Sequence, residues 1–141
     1  ALAGLAASRK NQGRICLLRG YDQQLANRIY AAGDFFLIPS RYEPCGLTDY
    51  IAQLFGNLPI VHGIGGLVKV KDGETGFSYA EHKSAALMGA MQTALQTFRA
   101  NPKKIRAMQK AAVKAILDTY TWDKVLARYL SLYSEALSQV Q

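Results

Sequence analysis

Two short apolar runs, Phe35-Phe36-Leu37-Ile38 and Pro59-Ile60-Val61, are continuous and do not alternate with polar residues. A strand with water on one face alternates. One that is apolar throughout is covered on both faces, as strands of parallel sheets are. Parallel strands need a crossover of about a dozen residues or more. The interval between these two runs holds a loop and then a helical stretch, 47–55, that stops at Gly56-Asn57. Upstream, residues 14–19 form another short apolar run and read as a buried strand, with Cys16 in the core. Gly20 ends that run. Asp22 is placed to cap a helix carrying Leu25, Ala26 and Ile29 on its apolar side, closed by Gly33-Asp34. Phe77-Ser78-Tyr79 is a candidate fourth strand, and residues 1–12 read as a helix tail and a polar connection. Strand and helix in alternation predict an α/β fold, a Rossmann-like parallel sheet with crossover helices.

The rest of the chain is predicted as a helical C-terminal tail. Leu87, Met91, Ala94 or Leu95, and Phe98 recur at helical spacing. Asn101-Pro102 joins a capping residue to a first-turn proline, and Ile105, Met108, Ala112 and Ile116 line the face that follows. Thr121 is placed to cap a last helix bearing Trp122, Val125, Leu126, Tyr129, Leu132 and Leu137. That stripe is expected to pack rather than to hold a cofactor. The tail would cover the sheet or brace it against another domain.

Lys and Arg number 17 against 10 Asp and Glu, a net charge of +7. Such a surface suits anionic partners. The basic residues are scattered, whereas nucleic-acid binders gather them in a patch or stripe. A phosphate-bearing small molecule is therefore expected and nucleic acid is not, although charge held only for solubility also accounts for the excess. No apolar run is long enough to span a bilayer, so no membrane partner is expected. The two cysteines lack framework spacing, and His62 and His82 stand apart from other ligand types, so no metal site is predicted. These features predict a reduced, cytoplasmic protein, and the missing initiator Met predicts a piece of a longer one.

In open parallel α/β sheets ligands sit beyond the C-terminal ends of the strands. Three stretches fall there and are expected to share one crevice: Gly20-Tyr21, residues 41–48 and residues 63–66. In the second, Glu43 precedes Pro44, which biases it to an extended backbone. Gly46-Leu47-Thr48 then opens a helix, whose first amides lack internal partners and attract anions. A carboxylate beside an anion-binding helix end suits a hydroxylated sugar joined to a phosphate. A capped helix after a turn, with Glu43 merely solvated, suits the same residues. Gly63-Ile64-Gly65-Gly66 allows close backbone approach but is also a common turn composition. Tyr21 has a ring that can stack on a base or simply pack.

Ser40-Arg41-Tyr42-Glu43-Pro44-Cys45-Gly46-Leu47-Thr48 resembles the signature of bacterial glycogen and starch synthases, retaining glycosyltransferases with the GT-B fold. The cysteine within that motif is characteristic of the family. Gly20-Tyr21-Asp22, Arg28-Ile29-Tyr30, Ala32-Gly33-Asp34, Gly65-Gly66-Leu67, Thr75-Gly76-Phe77 and Thr121-Trp122 follow the family in the same order. The similarity runs from about Gly13 to Leu137.

The resemblance implies that residues 1–141 are part of the C-terminal, nucleotide-sugar-binding domain. The N-terminal acceptor domain and the upstream part of this domain would lie before residue 1. It implies transfer of glucose from ADP-glucose to the non-reducing end of an α-1,4-glucan, with retention, no cofactor and no obligatory metal. Glu43 would hold sugar hydroxyls as the catalytic-site carboxylate. Cys45 and Gly46 would lie against the glucose, and the Leu47 and Thr48 amides would bind the distal phosphate. Tyr21 would stack on adenine with Gly20 beside it, while Gly65 and Gly66 would shape the sugar–phosphate pocket. ADP-glucose or ADP is the implied ligand, and an α-glucan acceptor would be held by the absent domain. The location expected is cytoplasmic, or plastid in a plant or alga.

Three departures bear on these expectations. His62-Gly63 stands where the family usually has a basic residue before the glycine loop. The stretch 69–77 is shorter than usual, and its Asp72-Gly73-Glu74-Thr75-Gly76 looks like retaining transferases that use other nucleotide sugars. Ile51 stands where those relatives carry a second glutamate, which favours the synthase type. The family's diphosphate-neutralising Arg and Lys would precede residue 1, so this chain alone is not expected to turn over. A transferase using another nucleotide sugar and a non-catalytic nucleotide-sugar-binding domain remain as alternatives.

Overall fold

The computed structural model describes residues 2–139. Its centre is a three-stranded, wholly parallel sheet in the order β1-β2-β3, with β1 at Phe35–Ile38, β2 at Leu58–His62 and β3 at Phe77–Tyr79. β2 is flanked on both sides and every residue of it is buried, which is the environment its unbroken apolar run demands. Pro59 lacks an N–H, and pairing with β3 begins only at Ile60. β1 pairs with β2 alone among the described residues. Its expected burial on both faces is only partly met: Ile38 is buried, while Leu37 is 46% exposed.

Six α-helices lie among the described residues: α1 Leu2–Ala7, α2 Gln23–Ala32, α3 Thr48–Leu54, α4 Ser84–Ala100, α5 Pro102–Thr119 and α6 Trp122–Ser138. α3 is the crossover between β1 and β2. β2 reaches β3 instead through a 3-10 turn, Gly65–Lys69, and a turn at residues 71–76. One core cluster joins Leu58, Ile60 and Phe77 of the sheet to Ala94 of α4 and to Ile105 and Met108 of α5. A second joins Ile38, Val61, Leu67 and Val70 beneath the loops that leave the sheet. The helical spacing at Ile105, Met108, Ala112 and Ile116 marks the inward face of α5, all four being buried. In α4 the inward position is Ala94, with Leu95 exposed.

Four expectations are corrected. Residues 14–19 form no strand and pair with nothing among the described residues; Ile15, Leu17 and Leu18 are exposed, and so is Cys16. An apolar run becomes a strand only beside a strand to bond with, and none borders this one. α2 is capped as expected, Asp22 accepting from the Leu25 amide at 2.8 Å. Leu25 and Ile29 are nevertheless exposed, and Tyr30 provides its inward contact, against Phe36 and Phe55. The apolar stripe of α6 packs little: Trp122 is 84% exposed and no residue of the helix is buried. Thr121 sits at the cap position of α6 but makes no side-chain capping bond; its hydroxyl donates back to Leu117.

Candidate functional site

All three strands run parallel, so their C-terminal ends share one edge. Residues 39–47 leave β1 there, 63–66 leave β2, and 80–83 leave β3. The first of these loops is shaped by Glu43. Its Oε1 accepts from the Gly46 amide at 3.1 Å, and its Oε2 accepts from the Ser40 hydroxyl at 3.2 Å. Gly46 has φ of 72°, a left-handed backbone that suits a residue without a Cβ. An ionised carboxylate has about four lone-pair sites. Two of Glu43's are used by Ser40 and Gly46.

The glycine loop packs directly on this one. The Gly66 amide donates to the Glu43 carbonyl at 2.8 Å. A Cβ built on Gly65 would overlap the Glu43 carbonyl, and one on Gly66 would overlap the Cys45 carbonyl. Gly65 and Gly66 thus set the seat of residues 43–45.

Lys69 holds the loop from below. Its ammonium donates to the Cys45 carbonyl at 2.8 Å and to the Gly46 carbonyl, lies 3.3 Å from Asp49 Oδ1, and sits 3.7 Å from the centre of the Tyr50 ring. In a trans peptide the N–H points opposite to the C=O. Fixing the Gly46 carbonyl on Lys69 therefore turns the Leu47 amide away from Lys69. Leu47 and Thr48 are exposed where α3 begins. Asp49 is fully buried and, beyond the ion pair, has no hydrogen-bond partner among the described residues. Burial raises its pKa, with Lys69 pulling the other way. Burial, together with neighbouring Tyr120 and Asp49, also pushes the Tyr50 hydroxyl up.

The two histidines, apart in sequence, meet at the same edge with ring centroids 5.1 Å apart. His62 is buried; its Nδ1 lies 2.8 Å from the Ser40 carbonyl and its Nε2 3.1 Å from the Ala80 carbonyl. His82 Nε2 lies 3.2 Å from the Pro39 carbonyl. No group of three or more metal-ligating side chains occurs among the described residues. An open cavity of about 150 Å³ beside these rings is lined by Pro39, Tyr79, His82, Lys83, Ser84 and Leu87. It is smaller than typical ligand pockets.

Of the three stretches expected to converge, these contacts join two, 41–48 and 63–66. Glu43, Cys45, Gly46, Gly65 and Gly66 form one contiguous cluster, with Leu47 and Thr48 at its outer side. Gly20 and Tyr21 lie on a separate exposed stretch, where Tyr21 is 85% exposed and its hydroxyl bonds Gln23. Sequence reasoning placed Ser40 in the signature without giving it a role, and missed Asp49, His62 and Lys69 as parts of the cluster. Only His62 carried a signal, through its place at the end of a buried strand.

No family model matches the chain. Among curated proteins, it is 42% identical over 127 residues to the glycogen synthase of Xanthomonas campestris pv. campestris (strain 8004), a match covering 89% of this chain and 26% of that protein. It is 38% identical over 128 residues to the glycogen synthase of Pseudomonas syringae pv. syringae (strain B728a), covering 90% and 26%. The chain thus spans about a quarter of the length of these relatives. Among solved structures, the catalytic domain of starch synthase IV from Arabidopsis thaliana bound to ADP and acarbose superposes with a TM-score of 0.79 at 28% identity, covering 96% of this chain and 29% of that one. Sucrose-phosphate synthase from Thermosynechococcus elongatus gives a TM-score of 0.74 at 25% identity, covering 98% and 34%. The parallel sheet, the signature loop at its edge and these matches agree: along most of its length the chain is a homologue of glycogen synthases, with the fold of GT-B glycosyltransferase domains.

Proposed function

We propose that this chain supplies part of the donor site of a glycogen or starch synthase that transfers glucose from ADP-glucose to the non-reducing end of an α-1,4-glucan with retention. The observation that carries the proposal is the Glu43 loop. Its carboxylate is held by Ser40 and Gly46 with acceptor capacity to spare, next to the exposed start of α3. Glu43 holds hydroxyls of the transferred glucose, and Cys45 and Gly46 lie against the sugar. The amides of Leu47 and Thr48 face the distal phosphate. Gly65 and Gly66 keep the loop seated. Tyr21, with Gly20 beside it, stacks on adenine; its exposed ring is available for that contact.

The reaction passes through an oxocarbenium-like transition state, as glycoside hydrolysis does. Charge builds on the departing diphosphate, and donors fixed in advance stabilise it without reorganising. The Lys69 clamp contributes by fixing peptide orientation before substrate arrives. That a starch synthase of the same fold was solved with ADP and acarbose supports an adenine nucleotide and a glucan as ligands. The acceptor and the remaining diphosphate contacts belong to parts of the enzyme outside these 141 residues, so the isolated chain binds without turning over.

Amide chemical-shift mapping with millimolar ADP and UDP tests the donor assignment. ADP is expected to move Tyr21 and residues 46–48 more than UDP does. Larger shifts with UDP would favour a transferase using another nucleotide sugar, and no shifts with either would remove the donor-site proposal.

A further inference from the structure

We infer that His62 is a positioning residue for the donor-site carboxylate, acting through its Nδ1 bond to Ser40. The inference rests on the proposal that Glu43 holds the sugar. His62 is the last residue of the central strand, and its ring nitrogens face the exits of both neighbours: Nδ1 lies 2.8 Å from the Ser40 carbonyl after β1, and Nε2 lies 3.1 Å from the Ala80 carbonyl after β3. Carbonyl oxygens only accept, so each contact is a hydrogen bond only when its nitrogen carries a proton; a neutral ring makes one of the two, and the bond to Ser40 is that of the Nδ1–H tautomer. The ring is 5% exposed and held by Tyr79, at 5.6 Å and 29°, and by His82, at 5.1 Å. His82 in turn bonds Pro39, so two consecutive carbonyls of the β1 exit are fixed by two adjacent rings.

The chain of contacts continues to Glu43. The backbone of Ser40 is held by His62, its hydroxyl donates to Glu43 Oε2, and Glu43 Oε1 accepts from Gly46. A buried ring that merely filled space would serve equally through either nitrogen. The contacts here are unequal. The Nδ1 bond leads to the carboxylate, whereas the Nε2 contact leads to β3 and away from it.

That inequality can be tested, because an Asn side-chain amide reaches where Nδ1 does and a Gln amide where Nε2 does. The variants are His62→Ala, His62→Asn, His62→Gln and, independently, Ser40→Ala. The readouts are hydrogen exchange of the Gly46 amide, with the Leu58 amide, which donates to the Asp34 carbonyl at the far end of the sheet, as control, and affinity for ADP-glucose against ADP. His62→Ala and His62→Gln are expected to speed Gly46 exchange about fivefold, the scale of one hydrogen bond, and to weaken ADP-glucose by a similar factor. His62→Asn is expected to recover most of both losses. Ser40→Ala is expected to reproduce the His62→Gln effect with the histidine cluster intact, and it decides the matter should a His62 variant fail to fold. Equal losses in His62→Asn and His62→Gln, or unchanged Gly46 exchange in Ser40→Ala, would overturn the inference. If exchange follows this pattern while no form binds ADP-glucose, the positioning role stands and the donor-site proposal fails.

Discussion

Gly66 is where the loop after β1 and the glycine loop after β2 come closest. Its amide bonds the Glu43 carbonyl, and the space where a Cβ would lie is filled by the Cys45 carbonyl. Backbone cannot move aside as a flexible side-chain tip can. Gly66→Ala is therefore expected to destabilise the fold by about 3 kcal/mol. Gly63, three residues earlier, has room: a Cβ there would stand 3.6 Å from the Tyr79 carbonyl, an ordinary contact. Gly63→Ala is expected to cost less than about 0.5 kcal/mol. Urea denaturation of the two variants measures the contrast, and equal costs would contradict the packing of the two loops. The Lys69–Asp49 pair beneath them is a different kind of constraint. Lys69 is bonded to two carbonyls and one carboxylate, so its value lies in fixing the direction of the peptide at 46–47.

Helix ends show how far local rules carry at the next scale. Asn101 and Thr121 occupy equivalent cap positions before α5 and α6. The Asn101 side chain accepts from the Lys104 amide at 3.0 Å, whereas Thr121 turns its hydroxyl back to Leu117. Asn101→Ala is expected to lower stability by about 1 kcal/mol, and Thr121→Ala by less than half as much. Thermal or urea unfolding decides this, and equal costs would contradict it. The elements that sequence located well are those whose partners are also among the described residues: β1, β2, β3, α4 and α5. Periodicity told which face of α5 points inward because that face meets β2 and α4. The same pattern in α6, and the apolar run at 14–19, gave burial that is not found, because apolar spacing specifies a face but not what covers it. Likewise Leu25 and Ile29 mark one side of α2, yet Tyr30 makes its inward contact.

Across the whole molecule, the parallel sheet brings to one edge residues separated by up to 40 positions in sequence, from Ser40 to Ala80, through a single buried imidazole. The nine-residue signature at 40–48 was legible as a string, and so was the glycine loop. Their contact was not, because each glycine's role depends on a carbonyl about twenty residues away. Lys69 and Asp49 were illegible for the same reason, and His62 was legible only by its place after a buried strand: a lone charged residue has no local pattern, and only the fold supplies its partners. No helix among the described residues is long and apolar enough to cross a membrane. The net charge of +7 accords with a diphosphate-bearing ligand without specifying it.

The central claim is that Glu43 serves the sugar and not the nucleotide. Calorimetric titration of the parent chain and Glu43→Gln with ADP-glucose and with ADP tests it directly. Gln keeps an oxygen for the Gly46 amide but loses the charge that strengthens bonds from sugar hydroxyls. The account predicts that Glu43→Gln weakens ADP-glucose about tenfold while ADP binding stays within about twofold. Equal loss for both ligands, or no loss for either, would contradict it.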